Sequence, residues 1–250
     1  MHMEPFVRHH IKGNCGILEF GNASGNSLTS DMLKELSKNL TLLDSNKLVK
    51  VIILKSSGLK AFSGGASFTE LKTLKSFDEA REFFIGFANL LNVFRTLKKF
   101  VILQVQGKVV GGGIGIVAAC DYIIAYEKAE IKLSELSIGL GPFVIEPAIT
   151  RKIGSAAFAQ LSLEAENWKT AKWAGKKGLY NSVVNSHKEL EISARELAEK
   201  FGNYSSDAME KLRKLHWKNT EHWEGTLKSN AEITAKLLLK DAAQSILKKF

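Results

Sequence analysis

The sequence predicts an α/β fold with one main domain and a helical C-terminal region, and three observations carry that expectation. Short runs rich in β-branched residues, such as Val51-Ile52-Ile53-Leu54 and Val101-Ile102-Leu103, alternate with segments whose apolar residues recur at helical spacing. Such alternation is the pattern of a sheet covered by helices. Two glycine-rich stretches, Lys60–Ser67 and Gly111–Gly115, follow strand-like runs and read as loops or tight turns. From His187 to Phe250 the chain reads as almost entirely helical.

Taken in order, Ile17-Leu18-Glu19-Phe20 is a short strand, and Ser30 is placed as the cap of a helix with Met32, Leu33, Leu36, Leu40 and Leu43 on one face. Val49 to Leu54 is a buried strand that leaves through Ser56-Ser57-Gly58 into the loop bearing the first glycine stretch. Ser76 starts a second helix whose inner face carries Phe83, Phe84, Phe87 and Leu91, and an apolar strand from Phe100 follows. Gly111-Gly112-Gly113 then turns the chain into a helix through Ile116 and Cys120. Asp121–Ala125 and Glu130–Leu133 are two further strands, with Ser134-Glu135 just beyond the second. After Ile149 the pattern is mainly helical, apart from a late strand at Leu179–Val184. The division is a core over residues 1–186 and a C-terminal helical region over 187–250.

A chain with 45% hydrophobic and 24% charged residues, and no long uncharged apolar run, is expected to be soluble and cytoplasmic, with no membrane partner. Met1 to Gly13 has basic residues without a following apolar segment, so it reads as a loose terminus carrying His9 and His10 rather than a secretory signal. Cys15 and Cys120, far apart, suggest neither a disulfide framework nor a thiolate metal site, and no metal is expected. The net charge of +9 suits polyanions, either nucleic acid or coenzyme A phosphates. Its lysines are dispersed, which favours a solvated surface, and nucleic acid is not the expected partner.

Each glycine stretch bares backbone N–H groups that a side chain would screen, and two such groups brought together form an oxyanion hole. Either stretch alone is as well read as a plain turn or a close packing contact. Lys60–Phe68 (KAFSGGASF), Gly111–Asp121 (GGGIGIVAACD) and Leu133–Pro142 (LSELSIGLGP) together resemble, in order and spacing, the crotonase superfamily of enoyl-CoA hydratases and isomerases. The resemblance runs from about Asn26 to the C-terminus. Ser134-Glu135, Gly139, Pro142 and Pro147 are similar to a loop of its bacterial 3-methylglutaconyl-CoA hydratase subgroup.

This resemblance implies a spiral of ββα units with a C-terminal helical trimerisation region, assembled as a homotrimer or a dimer of trimers. It implies an acyl-CoA thioester as substrate and no cofactor beyond the coenzyme A the substrate carries. Ala66 and Gly112 would hold the thioester oxygen and Glu135 would handle water and proton. Gly64, Ser67, Phe68 and Gly111 would line the substrate path, and Phe143 would face the acyl tail. Taken alone, the position of Glu135 fits a capping or lysine-paired loop carboxylate, so its catalytic candidacy rests on the resemblance.

The best-known hydratases of the superfamily carry a second glutamate where this chain has Gly115. Glu146 is a candidate replacement, although a glutamate in a first helical turn is more commonly structural. One carboxylate leaves open hydration by Glu135 alone, a 1,3 proton shift on an enoyl-CoA, or another crotonase-type reaction such as decarboxylation. Two weaker readings stand beside these. Gly113–Ala118 fits a dinucleotide fingerprint with Glu135 as its acid, and the basic balance fits a non-catalytic acyl-CoA or RNA binder.

Overall fold

A computed structural model describes residues 4–249. The first departure from the sequence reading is set by Gly13-Asn14. Gly13 adopts φ +60°, the positive angle of a two-residue type II′ turn, and joins β1 (Phe6–Lys12) to β2 (Cys15–Gly21) as an antiparallel hairpin. Phe6–Lys12, within the segment expected to be loose, is therefore an edge strand, while Met1–Met3 lie outside the described residues, and His9 meets the Asn39 side chain. A Gly-Asn pair between two seven-residue strands was the available signal.

The next helix, α1 (Ser30–Ser45), is capped by Thr29 rather than Ser30, since the Thr29 hydroxyl accepts from the Met32 N–H. Ser30 instead gives its N–H and hydroxyl to the Glu70 carboxylate. From there the chain repeats one unit three times. β3 (Val51–Ser56) is followed by β4 (Ala61–Ser63) and the helices α2 (Phe68–Leu71) and α3 (Phe77–Thr96). β5 (Val101–Val105) is followed by β6 (Lys108–Val110) and α4 (Gly112–Ala119). β7 (Tyr122–Tyr126) is followed by β8 (Ile131–Lys132), a 3-10 turn at Leu136–Ile138, and α5 (Glu146–Leu163). This is the expected spiral of ββα units.

After α6 (Ala171–Lys176), the short strand β9 (Ser182–Val184) completes a six-stranded sheet ordered β1-β2-β3-β5-β7-β9, parallel beyond the first hairpin. The second strands of the three units form a separate parallel sheet, β4-β6-β8. The central runs lack alternation because both faces of the large sheet are covered. Ile52, Leu54 and Leu103 face α1 and α3, whereas Val51, Ile53, Ile102 and Ile124 face α7 (His187–Asn203).

Beyond α7 lie α8 (Ser206–His216), α9 (Trp223–Leu238) and α10 (Asp241–Leu247). The helix α9 packs along α3, and Arg81 pairs with Glu232 across that contact at 2.9 Å. Both cysteines are free and buried, and burial raises both thiols, Cys15 to about 11. Among the described residues no helix is long and apolar enough to cross a membrane, and no group of three metal-ligating side chains occurs.

Candidate active site

Three strand ends of the small sheet converge on one cavity, and glycines decide how closely they approach. Leaving β4, the chain forms a single parallel bridge with Leu28, whose N–H bonds Gly65 O at 2.7 Å and whose carbonyl accepts from Ser67 N–H at 2.9 Å. Peptide groups alternate in direction along an extended chain, so the N–H of Ala66 points away from Leu28. Gly65 is held at φ +83°, and a Cβ there would lie 2.8 Å from Val110 O and 3.4 Å from Gly112 N. Only glycine lets the two loops touch along their backbones.

Leaving β6, Gly111 takes φ +51° and starts α4. The N–H of Ile114 bonds Gly111 O at 2.8 Å, closing the first turn and leaving Gly112 N–H among the unpaired donors of a helix start. Ala66 and Gly112 both line the cavity, and neither N–H has a backbone acceptor among the described residues. The two glycine stretches thus bring together two free donors, with the positive end of the α4 dipole behind one of them.

Glu135 follows β8 and opens the 3-10 turn. Its carbonyl accepts from Ile138 and Leu140, and Gly139 at φ +75° ends the turn. The carboxylate lies against the Gly111 backbone, where a Cβ on Gly111 would stand 2.9 Å from Glu135 Oε1. Its Oε2 is buried without a hydrogen-bond partner. Burial pushes the carboxyl up to about 7, because an ionised group there loses its water without gaining a cation. At neutral pH it can therefore both accept and return a proton.

The remaining walls are apolar. Phe68, Leu71, Phe84 and Phe87 form one side, while Leu140, Pro142, Val144 and Ile145 form the other. Thr234 of α9 closes the cavity from the C-terminal region, its hydroxyl already donated to Asn230 O at 3.0 Å. The Phe87 ring lies so close to Gly112 that a Cβ would come within 2.5 Å of it.

Glu135, Ala66, Gly112, Gly64, Phe68 and Gly111 all meet at this cavity. Three other candidates do not reach its wall. The Ser67 hydroxyl caps α2 by accepting from Glu70 N–H, and its own N–H is taken by Leu28. The Phe143 ring folds over Gly141, and its carbonyl accepts from Asn230 Nδ2 at 2.8 Å. Glu146 is a structural residue at the start of α5, bound to the Thr150 hydroxyl at 2.6 Å, so it is no second carboxylate for the cavity. The place beside Gly115 is filled, since a Cβ there would lie 2.8 Å from Ile145 Cβ.

Thr234, Val144 and Ile145 were not singled out from the sequence. For Thr234 a signal existed, because it interrupts the apolar stripe of Leu227, Ala231 and Leu238 on α9. For Ile145 there was none, since nothing local places it against Gly115.

The enoyl-CoA hydratase/isomerase family model matches residues 12–249. The chain belongs to that family. A probable enoyl-CoA hydratase of Bacillus subtilis is 29% identical over 218 residues, covering 86% of this chain and 84% of the relative. A short-chain-enoyl-CoA hydratase of Clostridium acetobutylicum is 34% identical over 176 residues, covering 70% of this chain and 66% of the relative. Among solved structures, an enoyl-CoA hydratase from Bacillus halodurans superposes with a TM-score of 0.90 at 20% identity, over 98% of this chain and 99% of that one, a likeness of fold. Membership in the enoyl-CoA hydratase/isomerase family makes the chain an enzyme acting on acyl-CoA thioesters.

Proposed function

We propose that the protein hydrates short 2-enoyl-CoA thioesters with Glu135 as the only carboxylate that handles water and proton. The observation that carries this reading is the buried, unpartnered Oε2 of Glu135 beside two free N–H donors in one cavity. In the reaction the thioester oxygen sits between Ala66 and Gly112 N–H. Ionised Glu135 takes a proton from water as the water oxygen bonds to C3, and the electron pair of the double bond passes to the thioester oxygen as an enolate. The enolate collapses and C2 takes the proton from Glu135, which returns to its ionised state. Water is added across the bond, and no cofactor beyond coenzyme A is needed.

The names of the relatives support hydration. The filled space beside Gly115 favours a second reading. With no second carboxylate, Glu135 could remove a proton from C2 of a 3-enoyl-CoA and return it at C4, an isomerisation that consumes no water. Loss of the enoyl-thioester absorbance of crotonyl-CoA, with ¹⁸O from labelled water in the product, supports hydration. Conversion of 3-enoyl-CoA without ¹⁸O uptake, and no change in crotonyl-CoA, overturns it. The family resemblance also supports a homotrimer or a dimer of trimers, which sedimentation equilibrium distinguishes.

A further inference from the structure

We propose that the acyl cavity takes a short, uncharged hydrocarbon chain and rejects acyl groups that end in a carboxylate. This inference rests on the acyl-CoA reading above and narrows it, setting 3-methylglutaconyl-CoA and similar dicarboxylic thioesters outside the substrate class.

The argument is electrostatic. From the oxyanion donors inward, every side chain on the wall is a hydrocarbon or an aromatic ring except Ser134, Glu135 and Thr234. None of these is a cation. Thr234 has given its one hydroxyl proton to Asn230 O, so it offers an anion no donor. Glu135 is itself an acid, and its ionised form would repel a second carboxylate in the same enclosure.

The nearby basic groups are engaged elsewhere. Lys132 stands beside Val110 in the small sheet, but its Nζ lies over the Trp168 ring at 4.9 Å. Lys108 Nζ lies over the same ring at 4.4 Å and 3.6 Å from the Glu130 carboxylate. Arg81 is paired with Glu232. A carboxylated acyl tail would therefore lose its hydration with no compensating charge, a penalty of several kcal/mol for a buried ion.

Size points the same way. The space inside the partly open cavity is about 50 Å³, well below the roughly 150 Å³ of an apolar cavity that holds benzene. A four-carbon crotonyl group asks less of such a space than an eight-carbon chain does.

The test separates charge from shape and binding from turnover. Isothermal titration compares succinyl-CoA with 4-methylpentanoyl-CoA, which has the same shape with a branched methyl pair in place of the carboxylate. The neutral thioester is expected to bind about a hundredfold more tightly. In parallel, crotonyl-CoA is expected to exceed both 3-methylglutaconyl-CoA and oct-2-enoyl-CoA in kcat/KM by about the same factor. Thr234→Lys, set against Thr234→Met as its neutral control, is expected to gain succinyl-CoA binding. Equal binding of the matched pair by the wild-type protein overturns the proposal whether or not the variants fold. Selective binding without turnover supports the cavity assignment while removing the hydration reading. Failure to bind either thioester removes the acyl-CoA reading and this inference with it.

Discussion

At the scale of single residues, Glu135 joins an unfavourable environment to a useful one. Its carboxyl is raised to about 7 by burial, so the native state holds a proton that the unfolded chain has already released above the ordinary carboxylate range. A native pKa above the unfolded value makes stability fall as pH rises through that window, and the loss levels off above about 7. Glu135→Gln has no such ionisation. Urea titrations are expected to show the two proteins nearly equal at pH 4 and the variant more stable at pH 8, by on the order of a few kcal/mol. Activity runs the other way. The base must be ionised, so kcat/KM is expected to climb with pH through about 7 and then plateau, whereas Glu135→Gln loses roughly 10² to 10⁴ in rate. Gly112→Ala would drive a methyl group into Phe87, and misplacing one oxyanion donor is expected to lower kcat by about 10² to 10³, measured by crotonyl-CoA turnover. Much of this was legible in the sequence, because glycines between a strand and a helix can only be turns or close approaches. The raised pKa of Glu135 was legible in part, since the flanking Leu133, Leu136 and Ile138 suit it, whereas the packing of its carboxylate against the Gly111 backbone comes only from the fold.

At the scale of elements, the long helices are legible in the sequence and the second strands of the first two units are not. Ser76 caps α3 as expected, and the box is reciprocal, with Ser76 Oγ accepting from Glu79 N–H while the Glu79 carboxylate accepts from Ser76 N–H. Ser76→Ala is expected to cost about 1 kcal/mol in a urea titration, without changing turnover. By contrast β4 and β6 are only three residues long, too short for an alternating pattern to register, while β8 lies inside the Glu130–Leu133 run that reads as a strand. Their pairing is parallel and non-local, so it exists only once the longer strands have brought the units side by side. Their brevity is also functional. Each is followed within two residues by a site segment, Gly64-Gly65-Ala66 after β4, Gly111-Gly112 after β6 and Ser134-Glu135 after β8, so one small sheet sets the spacing of both donors and the acid. The hairpin of β1 and β2 shows the opposite case, a local signal at Gly13-Asn14 that the basic composition around it concealed.

At the scale of the molecule, the C-terminal helices are tied to the core by one buried ionic cluster. Arg213 of α8 donates to the Asp121 carboxylate at 2.9 Å and to the carbonyls of Phe94 and Leu97 at the end of α3. Trp217 Nε1 donates to the other oxygen of Asp121 at 3.0 Å, and Arg151 stacks on the Trp217 ring. Removing one member of a buried, fully bonded pair leaves the other charged and dry, so Arg213→Ala is expected to destabilise the protein by about 3 to 5 kcal/mol. The consequence reaches the active site through α9, which follows this cluster in the chain and lays Thr234 over the cavity while Asn230 holds the Phe143 carbonyl. The raised pKa of Glu135 depends on that enclosure. Where the C-terminal helices loosen, water should reach the carboxylate and its pKa should fall toward the ordinary range. The acid limb of the kcat/KM profile of Arg213→Ala is therefore expected to move below 7, at temperatures where circular dichroism shows the core still folded. A profile that keeps its midpoint near 7 would show that the core alone buries Glu135 and that the C-terminal helices serve another purpose.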